Sequence, residues 1–540
     1  MLCERRRTGA FRAEMQDNRT MKPSSKPRRC QWGPRVFSVL AIICCCAGRT
    51  DVARAQVPGA GEPGARLAVR ETPVGKFDRD MIDDSLRTAP ATLRTAWVCA
   101  RGERWVVVVD GREGALYSAV GDPVFSPDGR RVAHWAGRGD TRIVVIDGVE
   151  SRAYEGVLGS TLRFSPDSRH VAWVGRIGEK YAAVVDHVES RLYDEIGPQG
   201  VVFSPDGRHW AFAARLGERW LVVADDDEGA LYDSIGPAGP VFSPDSRQVA
   251  YVARNGDSEF VVVNGVRQRE FEAIADAGPV FSPDGSRLAY VVKQGNRQAV
   301  VEGGRLGAAY DEVGLPVFSP DGSRLAYIAR RGTWWYTVVD GRQSRPWDAI
   351  GRPGVLFTPN GRHYAYAAML DGQWHVTVNE DTGQPFDAVG LGSIVLSPDS
   401  RHVAYAAWRG RSACVVRDGE AGKAWDGIGA MSLVWSPDSA RLAYVARRGR
   451  QQTVVVDSQE GPWYDGIVKG SVVFSPDSRH VAFIAIRRDG QTIAVNGAPT
   501  RQYETFLPPA RPLFVGANRI SALAVRDGEV LRVDIDIESR

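Results

Sequence analysis

A chain of 540 residues, 43% hydrophobic and 25% charged, has the composition of a globular protein with several cores. Its 58 Gly and 31 Pro exclude a collagen-like or low-complexity protein. The formal charge of +3 originates at the N-terminus: residues 1–55 hold 12 Lys/Arg and 4 Asp/Glu, leaving 56 basic and 61 acidic residues, a balance of −5 that argues against nucleic acid as a partner.

In chain order, Arg28, Arg29 and Arg35 precede an apolar run from Val36 to Gly48, and Ala53-Arg54-Ala55 supplies the small residues a signal peptidase reads. Residues 1–55 therefore read as a signal-peptide region cleaved before Gln56, the alternative being an uncleaved anchor; translation starts at Met1 or Met21. The run is shorter than the about 20 apolar residues of a membrane span. No stable span is expected after cleavage, and the mature chain is expected to be exported, periplasmic or extracellular. Residues 56–73, rich in Gly, Pro and Ala, read as a flexible leader. Five of the seven cysteines lie in the signal region, and Cys99 and Cys414, at different strand positions of different repeats, are expected neither to bridge nor to hold a metal.

The remainder is a repeat. A Phe-Ser-Pro-Asp-Gly motif, first seen at Phe125 to Gly129, recurs with its serine position at 126, 165, 204, 243, 282, 319, 358, 397, 436 and 475, at intervals of 39 with one of 37. Within one unit, Val201-Val202-Phe203 reads as a strand, Ser204-Pro205-Asp206-Gly207 as a tight turn, His209 to Ala214 and Trp220 to Ala224 as two further strands, and Ala230 to Ile235 as a short fourth. An aromatic-acid pair such as Tyr232-Asp233 marks the end of each unit. Four antiparallel strands in about 39 residues make one blade of a β-propeller.

Degenerate units at 89–110 and 513–537 bring the total to twelve. The last lacks a fourth strand, which the isolated Phe77-Asp78 pair is placed to supply, so that the chain ends close the ring. Rings usually have four to eight blades. An all-β fold of two tandem six-bladed rings, 74–304 and 305–540 with a seam at Gly303-Gly304, is therefore the favoured arrangement, and one large closed ring is the alternative.

Phe281-Ser282-Pro283-Asp284-Gly285 followed by Leu288-Ala289-Tyr290, and Phe318 to Gly322 followed by Leu325-Ala326-Tyr327, resemble the TolB-like propeller family of WD-type repeats. The likeness covers 77–537 and implies a propeller fold; such propellers serve as adaptors, receptors and gating domains. Two departures narrow the implication. The stretch between Gln56 and Phe77 is too short for the α/β domain that precedes TolB-like propellers, and no Gly-x-Ser-x-Gly elbow of a propeller-bearing peptidase occurs. The propeller is expected to be the whole mature protein.

Recurrent polar residues read as scaffold. The motif aspartates, Asp128 to Asp477, are placed to accept backbone N–H bonds in their turns, and Asn360 stands in for one of them. His170, His209, His363, His402 and His480 share their position with Arg131, Gln248, Arg287, Arg324 and Arg441, which points to an exposed polar site and not to a metal ring. The acids of the aromatic-acid pairs are expected to bond a neighbouring strand or arginine. Asp225 to Glu228 is a four-acid turn that is either solvated or calcium-holding. Residues the repeat does not require are the better candidates: Trp334, Trp335, Tyr336, Trp374, Trp408 and Trp463 are placed to bind a partner, or else to pack between blades.

Together these features point to a non-catalytic, exported scaffold that binds a protein or peptide through a ring face or central channel, a polysaccharide being the other ligand class, with no cofactor. The alternative is a propeller lyase or hydrolase acting on a polysaccharide or small ester at the channel mouth.

Overall fold

The computed structural model describes residues 66–76, 80–82, 84–89 and 92–538; the signal-peptide region, the leader from 56 to 65 and the Phe77-Asp78 pair lie outside them. The described residues form twelve antiparallel sheets and no helix. In chain order the blades are 1 (87–113), 2 (119–150), 3 (156–189), 4 (195–228), 5 (234–271), 6 (273–306), 7 (312–343), 8 (349–382), 9 (388–421), 10 (427–464), 11 (466–499) and 12 (505–538 with 66–76).

Blade 4 shows the plan. Its inner strand comes in two halves, Glu195–Ile196 and Val202–Phe203, both paired with Trp210–Leu216; Arg219–Ala224 follows, then the short outer strand Asp227–Glu228 and a bridge from Trp220 to Tyr232. The outer strand is shorter than expected, because Ser234–Ile235 pairs with Val249–Asn255 of blade 5. Each aromatic-acid pair thus straddles a junction, the aromatic finishing one blade and the acid beginning the next. First strands of neighbouring blades, such as Val395–Leu396 and Val434–Trp435, approach within 8 Å and line the central opening.

Strand alternation explains the Ala-aromatic pattern. In Trp210–Leu216, Phe212 and Ala214 pack back against Ala172, Val174 and Ala183 of blade 3. Ala211 faces forward, packed with Tyr232, Tyr251 and Phe260. A small residue on one face receives the next blade's ring, and the interblade layer is dry and close-packed.

Twelve blades make one ring, which corrects the favoured two-ring arrangement. Two rings would require the strand after Gly303-Gly304 to pair with the C-terminal strand. Instead Gly303 and Gly304, both at positive φ, form a two-residue hairpin that pairs Arg305–Leu306 with Arg297–Glu302 of the same blade. The C-terminal strand Glu529–Glu538 is taken by Arg66–Lys76, from Arg66↔Glu538 to Lys76↔Glu529. The closing strand therefore begins upstream of Phe77, inside the stretch expected to be leader. Blade 12 also packs on blade 1, where Leu93 joins Leu507, Leu523 and Val530.

The 37-residue interval has a local cause. In blade 7 only Gly314-Leu315-Pro316 separates the halves of the inner strand, whereas blade 5 uses residues 236–240. Blade 2 has the same short form, Gly121-Asp122-Pro123. Five blades separate these two, and five also separate the two long, bulged outer strands, Val266–Phe271 in blade 5 and Gln459–Tyr464 in blade 10.

The clasp reproduces an ordinary interblade bond. Tyr117, Tyr154 and Tyr193 each donate from their hydroxyl to a glutamate on the next outer strand, Glu150, Glu189 and Glu228, at 2.9, 2.9 and 2.7 Å. At the closure Tyr503 donates to Glu71 at 2.8 Å, and Arg526 adds a bidentate pair at 2.8 and 2.7 Å. Burial pushes the Glu71 carboxyl up, but the bonds from Arg526 and Tyr503 outweigh it and hold the group below its ordinary value. Replacing Glu71 with Ala is expected to cost about 2–3 kcal/mol, read as a lower free energy of urea unfolding with faster amide exchange along Glu529–Glu538.

Candidate functional site

Two faces flank the ring. The turn face carries the Ser-Pro-Asp turns and the hairpins between third and outer strands. The hairpin face carries the hairpins between second and third strands and the aromatic-acid junctions.

On the turn face, repeated polar residues bond one another. Ser126 donates to Asp128 Oδ1 at 2.6 Å, and the same oxygen accepts the Arg130 N–H at 3.0 Å. Ser204 and Asp206, Ser436 and Asp438, and Thr358 with Asn360 repeat the bond. Hydrogen bonds from the motif serine, foremost, hold these aspartates below the ordinary range, and a second serine, Ser286 or Ser323, brings Asp284 and Asp321 to about 2. The fifth position after the serine is a bracket between blades. Arg131 pairs with Asp147, donates to the Arg169 carbonyl at 2.7 Å and lies over the Phe164 ring of blade 3. His402 pairs with Asp418 at 2.7 Å and stacks on Trp435 of blade 10. An imidazole or a guanidinium can each reach both partners, which explains the exchange of His and Arg there.

The acids of the aromatic-acid pairs also have structural work, though with a nearer partner than expected. Asp194 accepts the Gly217 N–H at 2.6 Å and Asp426 that of Gly449 at 2.6 Å, so each acid ties down the hairpin of its own blade. In the four-acid turn Asp225 receives His209 and the Trp210 N–H, and Glu228 receives Tyr193 and Arg191. Among the described residues no cluster of His, Cys, Asp and Glu has the geometry of a metal site. Cys99 and Cys414 are buried, unbridged thiols, and burial pushes Cys414 up.

All six candidate aromatics lie at the hairpin-face ends of their strands, on four successive blades. Trp334, Trp335 and Tyr336 open the third strand of blade 7, Trp374 lies at the start of the third strand of blade 8, Trp408 near the end of the second strand of blade 9, and Trp463 late in the outer strand of blade 10. Their environments differ. Trp334 is 42% exposed. Trp335 bridges Trp347 under the guanidinium of Arg330, and Trp463 lies 6.3 Å from Trp425 with Arg448 over both rings. Trp374 and Trp408 lie over Gly351 and Gly390, where an added Cβ would come within 3.3 Å of the indole in each case.

The inner loops add a feature that repeat analysis passed over. Leu315 in blade 7, Leu391 in blade 9 and Met431 in blade 10 are exposed on the inner strand, Leu391 at 80%. Their signal was present as large apolar residues inside Gly- and Ser-bearing loops. A cleft between blades 5 and 6, lined by Pro237, Arg254, Glu259 and Asp276, encloses about 30 Å³, room for about one water.

One buried ionisable group departs from the scaffold. His134 occupies the place that Trp173, Phe212 and Tyr251 take in later blades, edge-on to Tyr117, and neither ring nitrogen has a partner. Burial pulls its imidazole down to about 4.

No protein-family model matches the chain, and no curated protein matches it. Solved structures similar to it include a eukaryotic initiation factor at 13% identity, covering 65% of this chain and 92% of that one with a TM-score of 0.31. TolB from Acinetobacter baumannii follows at 15% identity, covering 48% and 77% with a TM-score of 0.22. The Cps50 (Swd1) β-propeller domain of Myceliophteria thermophila is 14% identical, covering 53% and 98% with a TM-score of 0.23. The propeller architecture of this chain rests on its own strand pairing.

The folded pKa of His134 lies below its unfolded value near 6.5, so its contribution is complete above 6.5 and is lost as the pH falls toward 4. Wild type is expected to lose about 3 kcal/mol more than His134→Phe between about pH 7 and about pH 4, measured by urea denaturation at the two values.

Proposed function

We propose that the protein is a non-catalytic, exported scaffold of the TolB-like type that holds a protein or peptide partner on its hairpin face. The observation that carries this reading is the set of large aromatic and aliphatic residues in blades 7–10, with Trp334 exposed on the hairpin face. Blades 7–10 carry Trp334 and the other indoles at their hairpin-face ends and, between the halves of the inner strands of blades 7, 9 and 10, Leu315, Leu391 and Met431. Large rings beside arginines, with exposed aliphatic residues nearby, are the composition of a protein-binding hot spot. The fold tolerates a polar residue at the position of Trp335 and Trp374, where blades 6 and 11 carry Gln298 and Gln491, while blades 1 and 4 carry Trp105 and Trp220.

Export rests on the basic residues, apolar run and Ala53-Arg54-Ala55 site of the N-terminus. Fractionation of the producing cell with N-terminal sequencing is expected to find a mature chain beginning at Gln56 outside the cytoplasm.

Trp334→Ala combined with Leu391→Ser is expected to weaken partner capture at least about tenfold with no change in melting temperature. Val149→Ser, which alters an exposed residue on the turn face, is expected to leave capture intact. Equal capture by all three proteins would place the partner elsewhere.

A further inference from the structure

In most blades a loop divides the inner strand, and the loops of neighbouring blades touch at the central opening. Gln199 of blade 4 donates to the Pro237 carbonyl of blade 5, and a Cβ on Gly278 of blade 6 would come within 3.0 Å of Ala238. In blades 4, 5, 6, 8, 9 and 11 the loop is a β-turn closed by a backbone bond of 2.8 to 3.1 Å between its first and fourth residues. The second residue stands at the corner of that turn. It is Pro198, Pro237 or Asp276 in blades 4–6, but Arg352, Leu391 or Lys469 in blades 8, 9 and 11. The turn therefore closes without a long side chain at its corner. Blades 7, 10 and 12, whose loops differ in length or closure, add exposed Leu315, Met431 and Arg511. Met431 has a φ of +55°, left-handed backbone that Gly392 and Gly470 take at the same place in their turns. A side chain is costly there, and blades 9 and 11 do without one.

The arc of blades 7–12 thus presents three apolar and three cationic side chains. Arg352, Lys469 and Arg511 are exposed, with no side-chain hydrogen bond or ion pair among the described residues. In the loops of blades 2–6 the ionisable groups are acids, Asp122, paired with Arg87, and Asp276. Across the opening Arg163, half-buried, is a further cation without an ion pair among the described residues. It stands at the inner-strand place where Val124, Val280 and Val434 pack on the next blade.

We infer that the inner loops of blades 7–12 form a peptide-binding arc at the central opening, and that its ligand is an acidic peptide segment bearing apolar side chains. This rests on the reading of the protein as a peptide-binding scaffold and names the chemistry of its partner. Carboxylates of such a segment would meet the free guanidinium groups of Arg352 and Arg511 and the ammonium of Lys469. Its apolar side chains would lie on Leu315, Leu391 and Met431, whose flexible thioether adapts to varied shapes. A polysaccharide fits less well. Sugar rings call for the flat apolar faces of aromatic side chains, and the inner loops of blades 7–12 hold none.

The probe is a random peptide library displayed on phage and selected on the immobilised mature chain at low ionic strength. Enriched peptides are then synthesised and their affinities measured by fluorescence anisotropy. They are expected to combine Asp and Glu with Leu, Ile or Phe, and to bind about tenfold or more weakly at about 0.5 M than at about 0.05 M salt. Two variants test the arc: Arg352→Glu with Lys469→Glu and Arg511→Glu, and Leu315→Ser with Met431→Gly. Each is expected to weaken binding at least about tenfold, with circular dichroism and melting temperature establishing that both are folded. Trp334, on the hairpin face, lies apart from the arc, so Trp334→Ala is expected to bind the same peptides as wild type does. No enrichment overturns the inference, as does enrichment of peptides without acids, or equal binding by wild type and both arc variants. A polyuronate oligomer is the second probe. If it binds more tightly than any selected peptide, and depends on the cations but not on Leu315 and Met431, the opening belongs to a polysaccharide and the inference fails. Peptides lost by Trp334→Ala yet unaffected by the arc variants would leave the docking role of the hairpin face standing and sink the arc alone.

Discussion

A propeller blade cannot stand alone, because both faces of its sheet are apolar. Phe212 and Ala214 look back to blade 3 while Ala211 receives rings from blade 5. Twelve blades joined in series would still leave two such faces bare at the ends, and a sheet edge open to foreign strands. Pairing of Arg66–Lys76 with Glu529–Glu538, and packing of Leu93 on Leu523 and Val530, remove both liabilities at once. Glu71 is the polar centre of that join, since Tyr503 and Arg526 converge on it from blades 11 and 12.

Most of the polar chemistry on the molecule is consumed by the same task. The motif serine and aspartate close a turn, the His or Arg five places on reaches the next blade, and most acids of the aromatic-acid pairs steady a hairpin. Among the described residues, those left uncommitted include the indole of Trp334, the inner-loop aliphatic residues of blades 7, 9 and 10, and several hairpin tips. On a repeat scaffold, candidate functional groups are sought by subtracting what the repeat explains, and Trp334 is one that this leaves on the hairpin face.

Blade architecture was legible because its determinants are local. The Ser-Pro-Asp turn, the Ala-aromatic alternation and the 39-residue interval each act within a blade or between neighbours. Ring count was not legible, because whether Arg305–Leu306 pairs with the strand before it or with the distant C-terminus is decided by a hairpin that reads alike in both arrangements. The 37-residue interval misled for a related reason: two residues missing from an inner loop at Leu315 resemble a domain seam in sequence. Arg66–Lys76 escaped notice because Gly and Pro break its alternation, at the bulge between Pro73 and Gly75. At the candidate site, the sequence marked the indoles by their departure from the repeat, but which of them pack over a glycine, as Trp374 does on Gly351 and Trp408 on Gly390, is set by how strands pair within the blade.

The register of the clasp has a mechanical consequence. Arg66 faces Glu538, so the two ends of the described chain leave the ring side by side from the same end of one strand pair. Tension applied between the ends loads the hydrogen bonds one rung at a time, as a zipper is opened, instead of shearing all of them together. The ring is thus secured against thermal opening by every rung and by Glu71, yet a directional pull on its ends meets only the outermost rung first. A machine that grips a terminus could open this closed circle with far less force than its equilibrium stability suggests.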